Sequence, residues 1–164
     1  MADTVHDMAA RVIARAIASG QTIVTAESCT GGGIGAALTS APGSSKVFLG
    51  GMLAYSNRVK QDFLSISNDL LVAHGAVSAP VAKAMADNVR RAYGAGIAVS
   101  ATGIAGPGGG TDTKPVGLVY VGVSVLGQET WVTELRCGDI GREAVREKTV
   151  MTALEALGRG IIET

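Results

Sequence analysis

Glycines are gathered into clusters that directly follow short β-rich runs, and this placement limits the folds open to the chain. Residues 22–26 lead into Gly31-Gly32-Gly33 and then into an apolar segment, which predicts a strand, a tight turn and a helix N-terminus in succession. Residues 97–101 lead into residues 103–110, which are too rich in glycine to form regular structure. Glycine lets the backbone approach a ligand closely, so both clusters are candidate parts of a site.

Helical and β-rich segments alternate along the rest of the chain. Apolar side chains at helical spacing predict long helices that start near Thr4, after Ser78, and at Arg142. Further strands are predicted at residues 47–55, 116–125 and 130–136. We expect the first of these to be buried. The other two are separated by a short polar break and should form a hairpin.

This alternation predicts an α/β fold. We expect one domain, residues 1–164, built as a three-layer α/β/α sandwich whose mixed sheet includes a β-hairpin in the C-terminal half.

Composition excludes several classes of protein. Hydrophobic residues make up 47% of the chain and charged residues 17%, which is typical of a well-packed domain rather than a disordered one. The formal net charge is zero, so direct nucleic-acid binding is not expected. No apolar run approaches the ~20 residues that cross a bilayer, and no secretory signal is evident. We therefore expect a cytoplasmic protein with no membrane partner and with Cys29 and Cys137 as free thiols.

The turn at Ser28-Cys29-Thr30 is the strongest candidate for chemistry. Hydroxyl and thiol side chains lie here between a strand end and a helix start, where the amide groups of Thr30, Gly31 and Gly32 favour an anion such as a phosphate or an oxyanion. A plain helix N-cap is the alternative interpretation of Ser28.

A second candidate is the segment from Tyr55 through Asn57 to Lys60. A lysine just past a strand end can act as a general base if the site disfavours its charge, for example by burial or by the neighbouring Arg58. An exposed surface lysine is the alternative.

The second glycine cluster and the last helix supply further candidates. Gly103 and Gly106 offer backbone for a ligand, and Lys114 could bring a cation toward it. Arg142 and Arg146 share one face of the last helix near its N-terminus. The helix dipole disfavours cations there, so a bound phosphate would explain their presence. Pairing with Glu143, Glu147 or Asp139 is an equally acceptable interpretation.

Other site types find little support. No lysine follows the first glycine cluster, so the phosphate loop of nucleotide hydrolases is missing. His6 and His74 lie in predicted helices without a carboxylate cluster, which argues against a Ser-His-Asp triad or a zinc site. No metal or cofactor is expected.

Several segments together resemble the CinA C-terminal domain family, the nicotinamide-nucleotide amidases. They occur in the family's order and span nearly the whole chain: Thr25–Gly32, Tyr55–Asn57 with Lys60, His74–Ser78, Gly103–Pro107 with Gly109 and Gly110, Lys114–Gly117, and Gly138-Asp139 with Arg142. The resemblance implies hydrolysis of nicotinamide mononucleotide to nicotinate mononucleotide and ammonia. It also implies Ser28 as nucleophile, Lys60 as base and Tyr55 beside them. The chain looks like the family's stand-alone form.

Substrate contacts are expected from three places. These are the backbone of Thr30, Gly31 and Gly32, the segment containing Asn57 with the loop residues Gly103 and Gly106, and the guanidinium groups of Arg142 and Arg146.

A homodimer is a further expectation, suggested by the glycine-rich run at residues 47–55. Two alternatives stay open: an inactive ligand-binding module connected with DNA competence or repair, and a phosphate-handling enzyme that uses the glycine clusters.

Overall fold

The computed structural model describes residues 1–162, in which five strands and six α-helices follow one another. The last two residues of the predicted domain, 163 and 164, lie outside this part. The elements are α1 Val5–Ser19, β1 Ile23–Glu27, α2 Gly33–Ser40, β2 Phe48–Leu53, α3 Asn57–Leu64, α4 Asn68–His74, α5 Ala79–Tyr93, β3 Ile97–Gly103, β4 Leu118–Val125, β5 Trp131–Arg136 and α6 Arg142–Gly160, with a 3-10 turn at Ser44–Lys46.

The strands form one mixed sheet in the order β2-β1-β3-β4-β5. Strand β1 is parallel to both of its neighbours, whereas β4 is antiparallel to β3 and β5. Side chains alternate between two cores: Ile23 faces one, and Val24 and Ala26 face the other. Helices α1, α2 and α6 cover the first face and α3, α4 and α5 the second. The predicted three-layer α/β/α sandwich with a C-terminal hairpin is confirmed.

Strand β2 differs from its prediction as a buried strand. Among residues 1–162 it pairs only with β1 and therefore forms one edge of the sheet, and Leu49 and Leu53 are exposed. An apolar run predicts strand structure well, but its neighbours in the sheet depend on long-range pairing that local pattern does not encode.

Local signals explain where the helices begin and how closely they pack. Thr4 caps α1 in a reciprocal pair with Asp7, and Ser78 accepts a hydrogen bond from Val81 N at the start of α5. On β4, a Cβ at Gly122 would lie 2.6 Å from Ala82 O. Only glycine at this position lets α5 pack so closely on the sheet.

The sheet topology positions the site. Because β1, β2 and β3 run parallel, their carboxyl ends meet at one edge of the sheet, where ligands of α/β proteins usually bind. The chain leaves β1 into Ser28, β2 into Tyr55 and β3 into the glycine loop. Within residues 1–162, no helix is both long and apolar enough to cross a membrane.

Candidate functional site

A cleft of about 270 Å³ opens at the carboxyl edge of the parallel strands. Seven of the predicted site residues line it: Ser28, Tyr55, Asn57, Lys60, Gly103, Gly106 and Arg142. Four others, Thr30, Gly31, Gly32 and Arg146, are not among its lining residues. Ala76, Val77 and Thr102 also form part of its wall, but none was predicted as a site residue. Ala76 and Val77 lie in the matching segment His74–Ser78, and only that resemblance pointed to them, because small side chains carry no local signal of this position.

Ser28 and Lys60 meet at the floor of the cleft. Lys60 lies in the first turn of α3, and its side chain extends into the cleft until Nζ is 3.2 Å from Ser28 Oγ. Its Nζ also donates to the carbonyl oxygen of Tyr55 at 3.1 Å. Two groups that are 32 residues apart in the chain thus form a direct hydrogen-bonded pair.

Lys60 is 1% exposed, which is unusual for a lysine. Within residues 1–162 no carboxylate lies at ion-pair distance from it. Burial in these surroundings lowers the pKa of the Lys60 ammonium. Arg58 does not contribute in the way that the sequence suggested, because its guanidinium is exposed and pairs with Asp62 at 3.3 Å.

Cys29 follows Ser28 and also lines the cleft, but its thiol is a poor nucleophile here. The residue is 6% exposed, and burial raises the pKa of the thiol to about 11. Since the thiolate is the reactive form of cysteine, this environment keeps Cys29 unreactive near neutral pH.

The N-terminus of α2 is capped by the protein's own carboxylate, that of Glu27. Glu27 accepts hydrogen bonds from Ile34 N at 2.8 Å and from Gly35 N at 3.0 Å. Its Oε1 also accepts from Thr30 Oγ1 at 2.7 Å. No local pattern indicates this contact, because Glu27 lies six residues before the first residue of α2 and outside the usual capping positions.

Arg146 lies behind the Ser28 turn. Its Nε donates to Cys29 O at 3.2 Å and its Nη2 to Thr30 O at 3.1 Å, and Nη1 is 3.9 Å from the exposed Glu143. The guanidinium therefore binds the backbone of the Ser28 turn from the side of α6. The sequence had suggested instead that it binds a phosphate.

Arg142 reaches the rim of the cleft and connects two of its loops. Its Nη1 donates to Gly106 O at 2.8 Å, and its Nη2 donates to Tyr55 Oη at 3.2 Å. Tyr55 itself is 64% exposed. Tyr55 thus contacts Lys60 through its main-chain carbonyl and Arg142 through its phenol.

The glycine loop after β3 lines the opposite side of the cleft. In the part of the chain that the structure describes, the amide groups of Ala105, Gly106 and Gly108 have no protein acceptor. These amides are available to a ligand, as is the amide of Cys29 beside Ser28. Lys114, by contrast, donates to His74 O and ties this loop to the end of α4 rather than entering the cleft.

Solved structures share this architecture. The competence/damage inducible protein CihA from Agrobacterium tumefaciens superposes with a TM-score of 0.92 at 42% identity, over 96% of this chain and 97% of that one. A competence-damaged protein (CinA) superfamily protein from Escherichia coli gives a TM-score of 0.91 at 30% identity, over 99% and 94% of the two chains.

Curated relatives agree with the structural match. A CinA-like protein of Parasynechococcus marenigrum is 53% identical over 161 residues, which are 97% of this chain and 38% of that protein. A CinA-like protein of Gemmatimonas aurantiaca is 46% identical over 93% of this chain and 35% of its own length. The chain thus spans little more than a third of the curated relatives it matches. Because the CinA C-terminal domain model also matches residues 5–161, the chain belongs to the CinA C-terminal domain family.

Proposed function

We propose that this chain is an amidohydrolase that converts nicotinamide mononucleotide to nicotinate mononucleotide and ammonia, with Ser28 as nucleophile and Lys60 as general base. The observation that supports this best is the buried Lys60 Nζ, which lies 3.2 Å from Ser28 Oγ without a carboxylate partner in residues 1–162. A charged structural lysine would need a counter-ion at this depth, whereas a neutral lysine is what a general base requires.

Acylation follows from this pair. The neutral Lys60 amine accepts the Ser28 hydroxyl proton, and Oγ attacks the carboxamide carbon to give a tetrahedral oxyanion. Backbone donors stabilise that charge most effectively when they are fixed in advance, and the amides of the glycine loop are available for it. Collapse breaks the C–N bond as Lys60 returns the proton to nitrogen, and ammonia leaves.

Deacylation uses the same groups in reverse. Lys60, neutral again, takes a proton from water, and the hydroxide attacks the acyl carbon of the Ser28 ester. The C–O bond to Ser28 breaks, Oγ regains its proton from Lys60, and the carboxylic acid is released. The net change is addition of one water across the amide bond. The carbonyl of Tyr55 keeps Nζ directed at Ser28 throughout.

Arg142 is the best candidate for holding the 5′-phosphate. It reaches the cleft rim and uses two of its five N–H donors on Gly106 O and Tyr55 Oη. Guanidinium groups bind phosphate oxygens through charge-assisted hydrogen bonds. The free amides of the glycine loop and the side chain of Asn57 complete the polar lining on either side.

Ammonia release from nicotinamide mononucleotide, measured with a chelator present, tests the proposal. The wild-type chain should release one ammonia for each nicotinate mononucleotide formed, and Ser28→Ala should not. A folded wild type that releases no ammonia would favour a ligand-binding module. Undiminished release by Ser28→Ala would instead exclude Ser28 as the nucleophile.

A further inference from the structure

Glu27 is a buried carboxylate that the mechanism above does not use. It is 2% exposed and lies immediately before Ser28. Both of its oxygens accept hydrogen bonds: Oε1 from Thr30 Oγ1 and Ile34 N, and Oε2 from Gly35 N, with Thr25 Oγ1 at 3.3 Å. A charged group this deep in a protein is costly unless its partners are fixed.

These contacts close the chain into a small ring around the carboxylate. Glu27 is the last residue of β1, and its partners Ile34 and Gly35 are in the first turn of α2. The N-cap of α2 is Gly32, which adopts a left-handed conformation and provides no side-chain cap. Glu27 therefore takes the place of the cap, and in doing so it joins the two ends of the turn that carries Ser28.

The same turn is held from two further directions. Ser28 N donates to Ala101 O on the neighbouring strand, and Arg146 donates to Cys29 O and Thr30 O from α6. The backbone on either side of Ser28 is thus fixed by an anion inside the turn and a cation outside it. The orientation of the Ser28 backbone matters, because Ser28 Oγ must stay within hydrogen-bond reach of Lys60 Nζ.

We infer that Glu27 is a positioning residue for Ser28: its carboxylate orders the turn so that Oγ faces Lys60. This rests on the proposed role of Ser28 as nucleophile. The carboxylate accepts from Ile34 N and Gly35 N, the first free amides of α2, while Gly31 N donates to Ser28 O. The amides of Ile34 and Gly35 are therefore not available to a substrate anion.

Glu27→Gln is a sharp perturbation because of the way the partners are arranged. Each carboxylate oxygen accepts from a backbone N–H, one from Ile34 and one from Gly35. An amide has only one acceptor oxygen, so whichever way the glutamine is oriented, its NH₂ group opposes one of these N–H donors. The side chain keeps its size and loses its ability to close the ring.

The test is the rate at which a sulfonyl fluoride labels Ser28 in the full chain, followed by intact mass and peptide mapping. Glu27→Gln should be labelled about 10²-fold more slowly than wild type, the loss expected when a nucleophile is misplaced by about 1 Å. The control is Glu129→Gln, which removes an exposed carboxylate in the β4–β5 turn and should label at the wild-type rate. All measurements are made where circular dichroism shows each variant to be folded.

Two additions keep the inference open to refutation. If Glu27→Gln does not fold, Thr30→Val removes a single donor to the carboxylate and should slow labelling by a smaller factor. In the ammonia assay, the kcat of Glu27→Gln should fall by the same factor as its labelling rate, and KM should change less than about threefold. Labelling of a folded Glu27→Gln at the rate of Glu129→Gln would overturn the inference. Because labelling reports on Ser28 alone, that result does not depend on which amide is the substrate.

Discussion

Replacing Lys60 by arginine separates the charge of this side chain from its ability to exchange a proton. Lys60 is almost fully buried, and its Nζ makes two hydrogen bonds, to Ser28 Oγ and to Tyr55 O. Arginine can donate to both acceptors, but its guanidinium does not deprotonate in proteins. Lys60→Arg therefore retains a cation and removes the base.

The expected loss follows from what the base contributes. General base catalysis is worth typically 10²–10⁴-fold, and the larger guanidinium must also fit a position that is 1% exposed. We expect kcat to fall about 10³-fold or more. A coupled assay for ammonia, with circular dichroism to verify folding, measures this directly.

The pH dependence gives a second, independent readout. Burial lowers the pKa of Lys60, so the wild-type rate should rise with pH through an inflection below the ~10.4 of free lysine. Stability should rise over the same window, because the unfolded chain binds the proton that the folded chain has released. Each pKa unit by which folding lowers the Lys60 pKa changes the free energy of unfolding by ~1.4 kcal/mol across this window. Lys60→Met should lack both the rate inflection and this rise in stability.

Substantial activity in Lys60→Arg would refute the reasoning. A wild-type pH–rate profile without an inflection below the pKa of free lysine would refute it too. Either result would remove Lys60 from the role of base and direct attention to a water molecule activated in another way.

Four further outcomes are expected. Ser28→Ala should abolish nearly all turnover while Cys29→Ala keeps most of it; a thiol reagent that inactivates the wild type but spares Cys29→Ala would contradict this. Iodoacetamide near pH 8 should alkylate Cys137, which is partly exposed, well before Cys29, whose thiol pKa is about 11; mass mapping of the peptides decides. Tyr55→Phe should lower kcat only about 2- to 10-fold, because its contact with Lys60 is through the main chain and only one hydrogen bond to Arg142 is lost. Arg142→Ala should raise KM for nicotinamide mononucleotide and reduce its advantage over the riboside, and equal weakening of both substrates in steady-state kinetics would make Arg142 structural.

Much of the fold could be predicted because its signals are local. Capping residues, apolar periodicity and the polar break between β4 and β5 predicted the strands and the starts of α1, α5 and α6 close to their observed bounds, whereas no bounds were predicted for α3 and α4. The position of β2 at the sheet edge was missed, since an apolar run of six residues is equally compatible with a central and an edge strand.

The candidate site was predictable to a different degree at each position. Ser28 and Lys60 follow strand ends, and parallel strands bring such positions together. Arg146 and Glu27 could not be assigned from the sequence, because both act on backbone groups whose locations depend on the folded turn. A charge near a glycine cluster indicates an electrostatic partner, and only the structure shows that the partner of each is the protein itself.

In the free protein, Gly106 O and Tyr55 Oη accept hydrogen bonds from Arg142 and would compete with an anion for the same N–H groups. Three N–H groups of Arg142 remain for an anion, but one that uses the N–H now bound to Gly106 O or to Tyr55 Oη must displace that oxygen. The measured affinity then reflects the difference between two sets of hydrogen bonds, and it is reduced by the fraction of molecules in which Arg142 makes these internal hydrogen bonds. Loosening the rim at Tyr55 would therefore tighten the binding of a small anion such as inorganic phosphate, even as it removes an interaction from the free protein.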